Sequence, residues 1–172
     1  AMVDLVFGTG LRYVVFLAPF AFILVLSFGI HKMRAATAQM VFWAFSAVMG
    51  LSLASVFLVY TGQSIVSTFF VSSATFFGMA LYGYTTKRDL TGWGSFLFMG
   101  LLGLIVASVV GLFVQSSALQ FAISVVGVLV FTGLTAYDTQ KIKESYYAHD
   151  DAETAGKKAI WGALELYLDF IN

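Results

Sequence analysis

The chain contains five apolar runs of about twenty residues, at positions 11–30 (LRYVVFLAPFAFILVLSFGI), 39–60, 65–85, 94–114 and 118–137. A helix of that length is about 30 Å long, the thickness of a bilayer's hydrocarbon. Lipid offers no partner to a backbone amide, so each run has to close its hydrogen bonds internally, as a helix. A sixth apolar segment, 159–172 (AIWGALELYLDFIN), has 14 residues and stops in mid-pattern, with neither a cap nor a flanking charge. The expected fold class is an all-α integral membrane helical bundle, one domain over residues 1–172, with six segments of which the last is incomplete. Residues are expected to be missing beyond position 172. The start, Ala1-Met2 and a half-apolar stretch, allows the same before position 1. Composition closes the alternative of a soluble core. Sixty per cent of the residues are hydrophobic and 10% charged, against about 25% charged in soluble domains.

Charge placement predicts an orientation. His31, Lys32 and Arg34 follow the first run, Lys87 and Arg88 the third, and Lys141, Lys143, Lys157 and Lys158 the fifth. The alternate connections, Thr61-Gly62-Gln63-Ser64 and Gln115-Ser116-Ser117, carry no charge. Eight of nine basic residues thus share one face, which the positive-inside rule makes cytoplasmic, leaving residue 1 outside. A bacterial inner membrane and the membrane of a eukaryotic organelle both fit this pattern. The nine basic and nine acidic residues cancel, so nothing points to nucleic acid as a partner. The chain has no Cys, which excludes a disulfide framework and a thiolate metal centre. Small residues at helical spacing, Ser46, Gly50 and Ala54 in the second run and Gly100 and Gly103 in the fourth, are expected where helices touch. Pro19 is expected to bend the first run.

The residues that could carry chemistry are acids within or beside the spans. Asp138 closes the fifth run in FTGLTAYDTQKIK, and Asp169 lies ten residues into the sixth, with Glu165 one turn earlier on the same face. A carboxylate at depth costs ~2.5–3.5 kcal/mol on the insertion scale, so it stays only when neutral, paired or facing water. Asp138 has an alternative reading as a helix-end acid paired with Lys141 at i+3, and Glu165 as an acid that reaches the aqueous interface. His31 and His149 stand apart in loops, which argues against a resident metal. No nucleophile elbow, zinc-helix motif or phosphate loop occurs, and no His shares the depth of the intramembrane Ser and Thr residues. The chain is therefore not expected to be an enzyme or to hold a cofactor.

The run FTGLTAYDTQKIK followed by GALELYLDFIN resembles the hallmark of the transmembrane Bax-inhibitor-motif family. YGYTTKRDLTGWGSF and FWAFSAVMGLSLASVFLVYTG resemble its bacterial branch. The resemblance covers the chain from about Leu11 onwards. It implies a bundle of seven helices with the last one central, so that the family's first helix is missing here and the final one cut short. It also implies a proton-sensitive calcium leak, and in eukaryotes protection from cell death, with two aspartates of the last two helices as the sensor. By motif position these are Asp138 and Asp169, which would meet the passing cation only transiently. The family's latch arginine, near the cytoplasmic end of the helix equivalent to 11–30, has Lys32 or Arg34 as its counterpart. A lysine there would be a point charge and not a bidentate fork. Glu165 stands where relatives carry a small or uncharged residue, and would add a third acid.

Two carboxylates close together in a poorly polarisable medium cannot both ionise cheaply, so they share a proton. The shared proton ties two helices together, and its loss as pH rises leaves a repelling, cation-attracting pair. The expected function is a pH-sensitive cation leak channel, with calcium as the ion and calcium, protons and the lipid bilayer as its partners. A non-conducting stress or cell-death regulator, or a proton-coupled cation antiporter, would use the same acids.

Overall fold

In the computed structural model every apolar run is helical, and no strand occurs among the described residues, which are 4, 8 and 10–172. The N-terminal residue, expected on the outer face, lies outside them. The helices are α1 (Leu11–Gly29), α2 (Ala35–Leu53), α3 (Val56–Val59), α4 (Gly62–Thr85), α5 (Thr91–Phe113), α6 (Ser117–Ser145) and α7 (Ala152–Ile171). Ala54 and Ser55 join α2 to the single turn of α3, and the stretch Ala35–Val59 forms one membrane-length helical segment. With it, α1, α4, α5 and α6 are long and apolar enough to cross a bilayer. The protein is thus an all-α helical bundle of the integral-membrane type. Its large apolar side chains confirm the choice of solvent: Phe28, Phe70, Phe98, Leu112 and Phe121 are all exposed. In water such a surface would be untenable; in lipid it is the ground state.

The described residues fall into two compact units, one running to Phe69 together with Tyr147–Trp161, the other Phe70–Tyr146 with Gly162–Asn172. In the first, α1 packs on α2. The face α2 buries is Ala38, Phe45 and Ser52, every seventh residue, against Val15, Pro19 and Leu26 on α1. Pro19 is buried inside an uninterrupted α1. Ser52 is tolerated in this core because its Oγ donates to the Val15 carbonyl at 2.6 Å. The start of α2 has no side-chain cap of its own; the Glu153 carboxylate accepts from the Ala35 amide instead. Asp151 caps α7 by accepting from the Thr154 amide at 3.2 Å, and hydrogen bonding from the Thr154 side chain and then its amide holds the carboxyl below the usual range.

Contrary to expectation, Gly50 does not mark a contact. It is exposed, and a Cβ there would meet nothing within 4 Å. The buried stripe of α2 lies on the other side of the helix, at Ala38, Phe45 and Ser52.

The second unit is organised on α6. Gly83, the one buried residue of α4, lets the backbones of α4 and α6 touch: a Cβ there would sit 2.2 Å from the Ala136 carbonyl oxygen. Gly94 and Gly100 of α5 receive Tyr137 and Val130 of α6, and Gly133 of α6 receives Leu97. Gly162 of α7 receives Ile142. Gly100 thus serves the close approach expected of it, whereas Gly103 faces open space. Close backbone approach at small residues is how helices gain contact in lipid, where burial of apolar surface no longer drives association.

Candidate functional site

The apolar run 118–137 ends at Tyr137, but α6 continues to Ser145. Asp138 is therefore not a helix-end acid. It lies about two turns before the end of α6 and is 8% exposed. Asp169, in the last turn of α7, is also 8% exposed. The two carboxyls stand within hydrogen-bonding reach of each other. Around them, Lys141 Nζ donates to Glu165 Oε1 at 2.6 Å and lies 3.5 Å from Asp138 Oδ1. Spacing along the helices explains the grouping: Asp138 and Lys141 are three apart on α6, and Glu165 and Asp169 four apart on α7. All four belong to the second unit.

The charge balance of the cluster is uneven. Three carboxyls share one ammonium, so full ionisation leaves a net charge of −2 in a largely buried group. Asp169 Oδ2 is buried and meets no amide, hydroxyl or ammonium donor among the described residues. Two ionised carboxylates have only acceptors to offer each other, so an Asp138–Asp169 hydrogen bond requires that one carries a proton.

Lys32 and Arg34 lie exposed in the first unit, on the turn after α1. Within the second unit, the cation beside the acids is Lys141. Glu165 is not an acid reaching out into water; its side chain is 19% exposed and ion-paired. Gln140, unremarked in the sequence, is 4% exposed. Its Nε2 donates to the Arg88 carbonyl and its Oε1 accepts from the Leu90 amide, both at 2.8 Å. It pins the α4–α5 connection to α6. Its one visible signal was its place two residues after Asp138, which puts it inside the same helix once α6 is seen to run on.

A helical bundle with the surface of a membrane protein, and with buried carboxyls on α6 and α7, defines a class of polytopic integral membrane proteins. Within that class, residues 1–172 match the family model described as inhibitor of apoptosis-promoting Bax1, and the chain belongs to that Bax-inhibitor family. It is 51% identical over 158 residues to the inner membrane protein YbhL of Escherichia coli (strain K12), covering 91% of this chain and 68% of the relative. An uncharacterized protein of Rickettsia prowazekii is 49% identical over 168 residues, covering 98% of this chain and 71% of the relative. One of Caulobacter vibrioides is 49% identical over 165 residues, covering 95% and 66%. The chain thus spans about two thirds of the length of these relatives.

Proposed function

We propose that the protein provides a pH-sensitive leak for cations, calcium foremost, with Asp138 and Asp169 as a proton-sharing gate. The observation that carries this reading is the contact of two buried carboxyls in a cluster that holds three acids and a single lysine. At low pH the shared proton lets the pair hydrogen-bond and holds α6 to α7. As pH rises the proton leaves, the like charges repel, and the separated oxygens attract a cation. Calcium takes six to eight oxygens, and two carboxyls supply at most four, so the pair suits a passing ion better than a resident one. The basic connections are placed in the cytoplasm by their charge, in a bacterial inner membrane like that of the Escherichia coli relative. No chemistry of bond making is assigned to the protein.

Purified protein in calcium-indicator liposomes tests the proposal. Calcium flux should rise from acid to neutral pH. In Asp169→Asn the amide donates permanently to Asp138, so flux should stay low and lose its pH dependence. Flux no greater than that of empty liposomes at every pH would defeat the leak and favour a non-conducting regulator. Flux that demands an opposing proton gradient would select an antiporter.

A further inference from the structure

The second unit also carries a cavity of about 450 Å³ between α4, α5 and α6, whose lining includes none of the three clustered acids. Its size is that of a small-molecule site. Its chemistry is graded. Arg88 and Asp89 stand at one end, the aromatic rings of Tyr82, Trp93 and Tyr137 follow, and Phe96 and Leu129 line the far part. From Tyr137 to Leu129 is eight residues along α6, about 12 Å of descent at 1.5 Å per residue. The charged end lies in the connection between two spans and the apolar end within the spans themselves. Trp93, Phe96 and Leu129 are 56%, 66% and 66% exposed, so the cavity opens as a groove on the lipid-facing surface.

The charged end is both preformed and incomplete. Gln140 fixes the backbone on either side of Asp89 through the Arg88 carbonyl and the Leu90 amide. Asp89 Oδ1 accepts from the amide and hydroxyl of Thr91 at 2.9 and 2.6 Å. Those bonds, the hydroxyl's first, keep its carboxyl below the ordinary range and so ionised at neutral pH. Arg88 is exposed and enters no ion pair among the described residues. An adjacent cation and anion at headgroup level, above an apolar groove, complement a ligand with a phosphate, a neighbouring ammonium and a hydrocarbon chain.

We infer that this groove is a binding site for a phospholipid with a primary-amine headgroup of the ethanolamine class. The phosphate meets the Arg88 guanidinium, which suits a phosphodiester as a planar, multidentate donor. The ammonium donates to the Asp89 carboxylate, and one acyl chain lies along Phe96 and Leu129. A choline headgroup cannot donate from its methylated nitrogen, and a glycerol headgroup has no cation for Asp89. The site rests on the membrane class of the protein and is independent of the leak.

Trp93 lines the groove and supplies the readout. The chain has three Trp residues, so the full chain carrying Trp43→Phe and Trp161→Phe reports from Trp93 alone. It is reconstituted in phosphatidylcholine bilayers, and chain-brominated phosphatidylethanolamine, phosphatidylcholine or phosphatidylglycerol is titrated in as a fluorescence quencher. The ethanolamine lipid should quench about threefold more effectively than the choline lipid, the preference a half-exposed charged contact confers. Asp89→Asn, which removes the charge but keeps an acceptor for Thr91, should bring the two to parity. Arg88→Gln should leave that preference in place, because it loses a phosphate contact that all three headgroups share. Equal quenching by all three lipids, a preference for phosphatidylglycerol, or a preference that survives Asp89→Asn would overturn the site. Quenching below that of bulk lipid would also overturn it, since a protein segment would then fill the groove.

Discussion

Lys141 is the side chain on which the acidic cluster's electrostatics turn. It is the cation that Glu165 and Asp138 share, and at 45% side-chain exposure its field is partly screened by the surroundings. Replacing it by Met leaves three carboxyls with no counter-charge. Lys141→Met should cost about 1 kcal/mol of stability, the upper end for a partly exposed pair, read as a lower midpoint when helicity is followed during denaturation in mixed micelles. In calcium-loaded liposomes the same variant should shift the rise in flux to higher pH, because an uncompensated negative field holds the shared proton more tightly. An unchanged flux profile would show that Lys141 braces the helices without tuning the proposed gate. Neither Glu165's partner nor Gln140's role was legible beforehand. A lysine at i+3 of an aspartate can be read from the chain, but a lysine donating across 24 positions to another helix cannot.

At the level of elements, α6 is the helix on which the others in its unit converge, and two features fix that arrangement. The first is the contact of Gly83 with the Ala136 carbonyl, where there is no room for a side chain. Gly83→Val should lower stability in micelles by about 1–3 kcal/mol, as overpacking of a tight contact does, whereas Gly103→Val should be tolerated because that position faces open space. Equal losses from both would show that glycine acts here through its helix propensity alone. The second is Gln140. Gln140→Ala leaves the Leu90 amide and the Arg88 carbonyl without their partner, which costs about 1–3 kcal/mol, and limited proteolysis should then cut in the 86–90 connection. The existence of α1, α2, α4, α5 and α6 follows from the apolar runs. The ends of α6 and α7 do not: both helices extend beyond the apolar runs into residues whose polarity conceals their conformation, Asp138 to Ser145 and Ala152 to Lys158.

For the molecule as a whole, the absence of Cys makes orientation measurable one position at a time. If the basic connections are cytoplasmic, single cysteines at Gln63 and Ser116 should react with a membrane-impermeant maleimide added outside intact cells. Cysteines at Lys87 and His149 should react only after the membrane is opened. The reverse pattern would invert the bundle, and with it the side from which the acids meet protons.

That this chain lives in a membrane was decided by sequence alone, because five stretches of some twenty apolar residues have one stable solution, and hydrogen bonding in lipid makes it a helix. The family was legible from the same string, and Asp138 and Asp169 stood out in it as candidates. Which small residues touch, which lysine stands beside the acids, and whether the two aspartates meet were decided only in three dimensions. A helix in lipid is apolar all round, so no polar face marks its outer side, and composition stays silent about which stripe is buried. The choice falls to close contacts such as Gly83 on Ala136 and to the polar groups that have to find each other, Ser52 with Val15, Gln140 with Arg88 and Leu90, and Asp138 with Asp169.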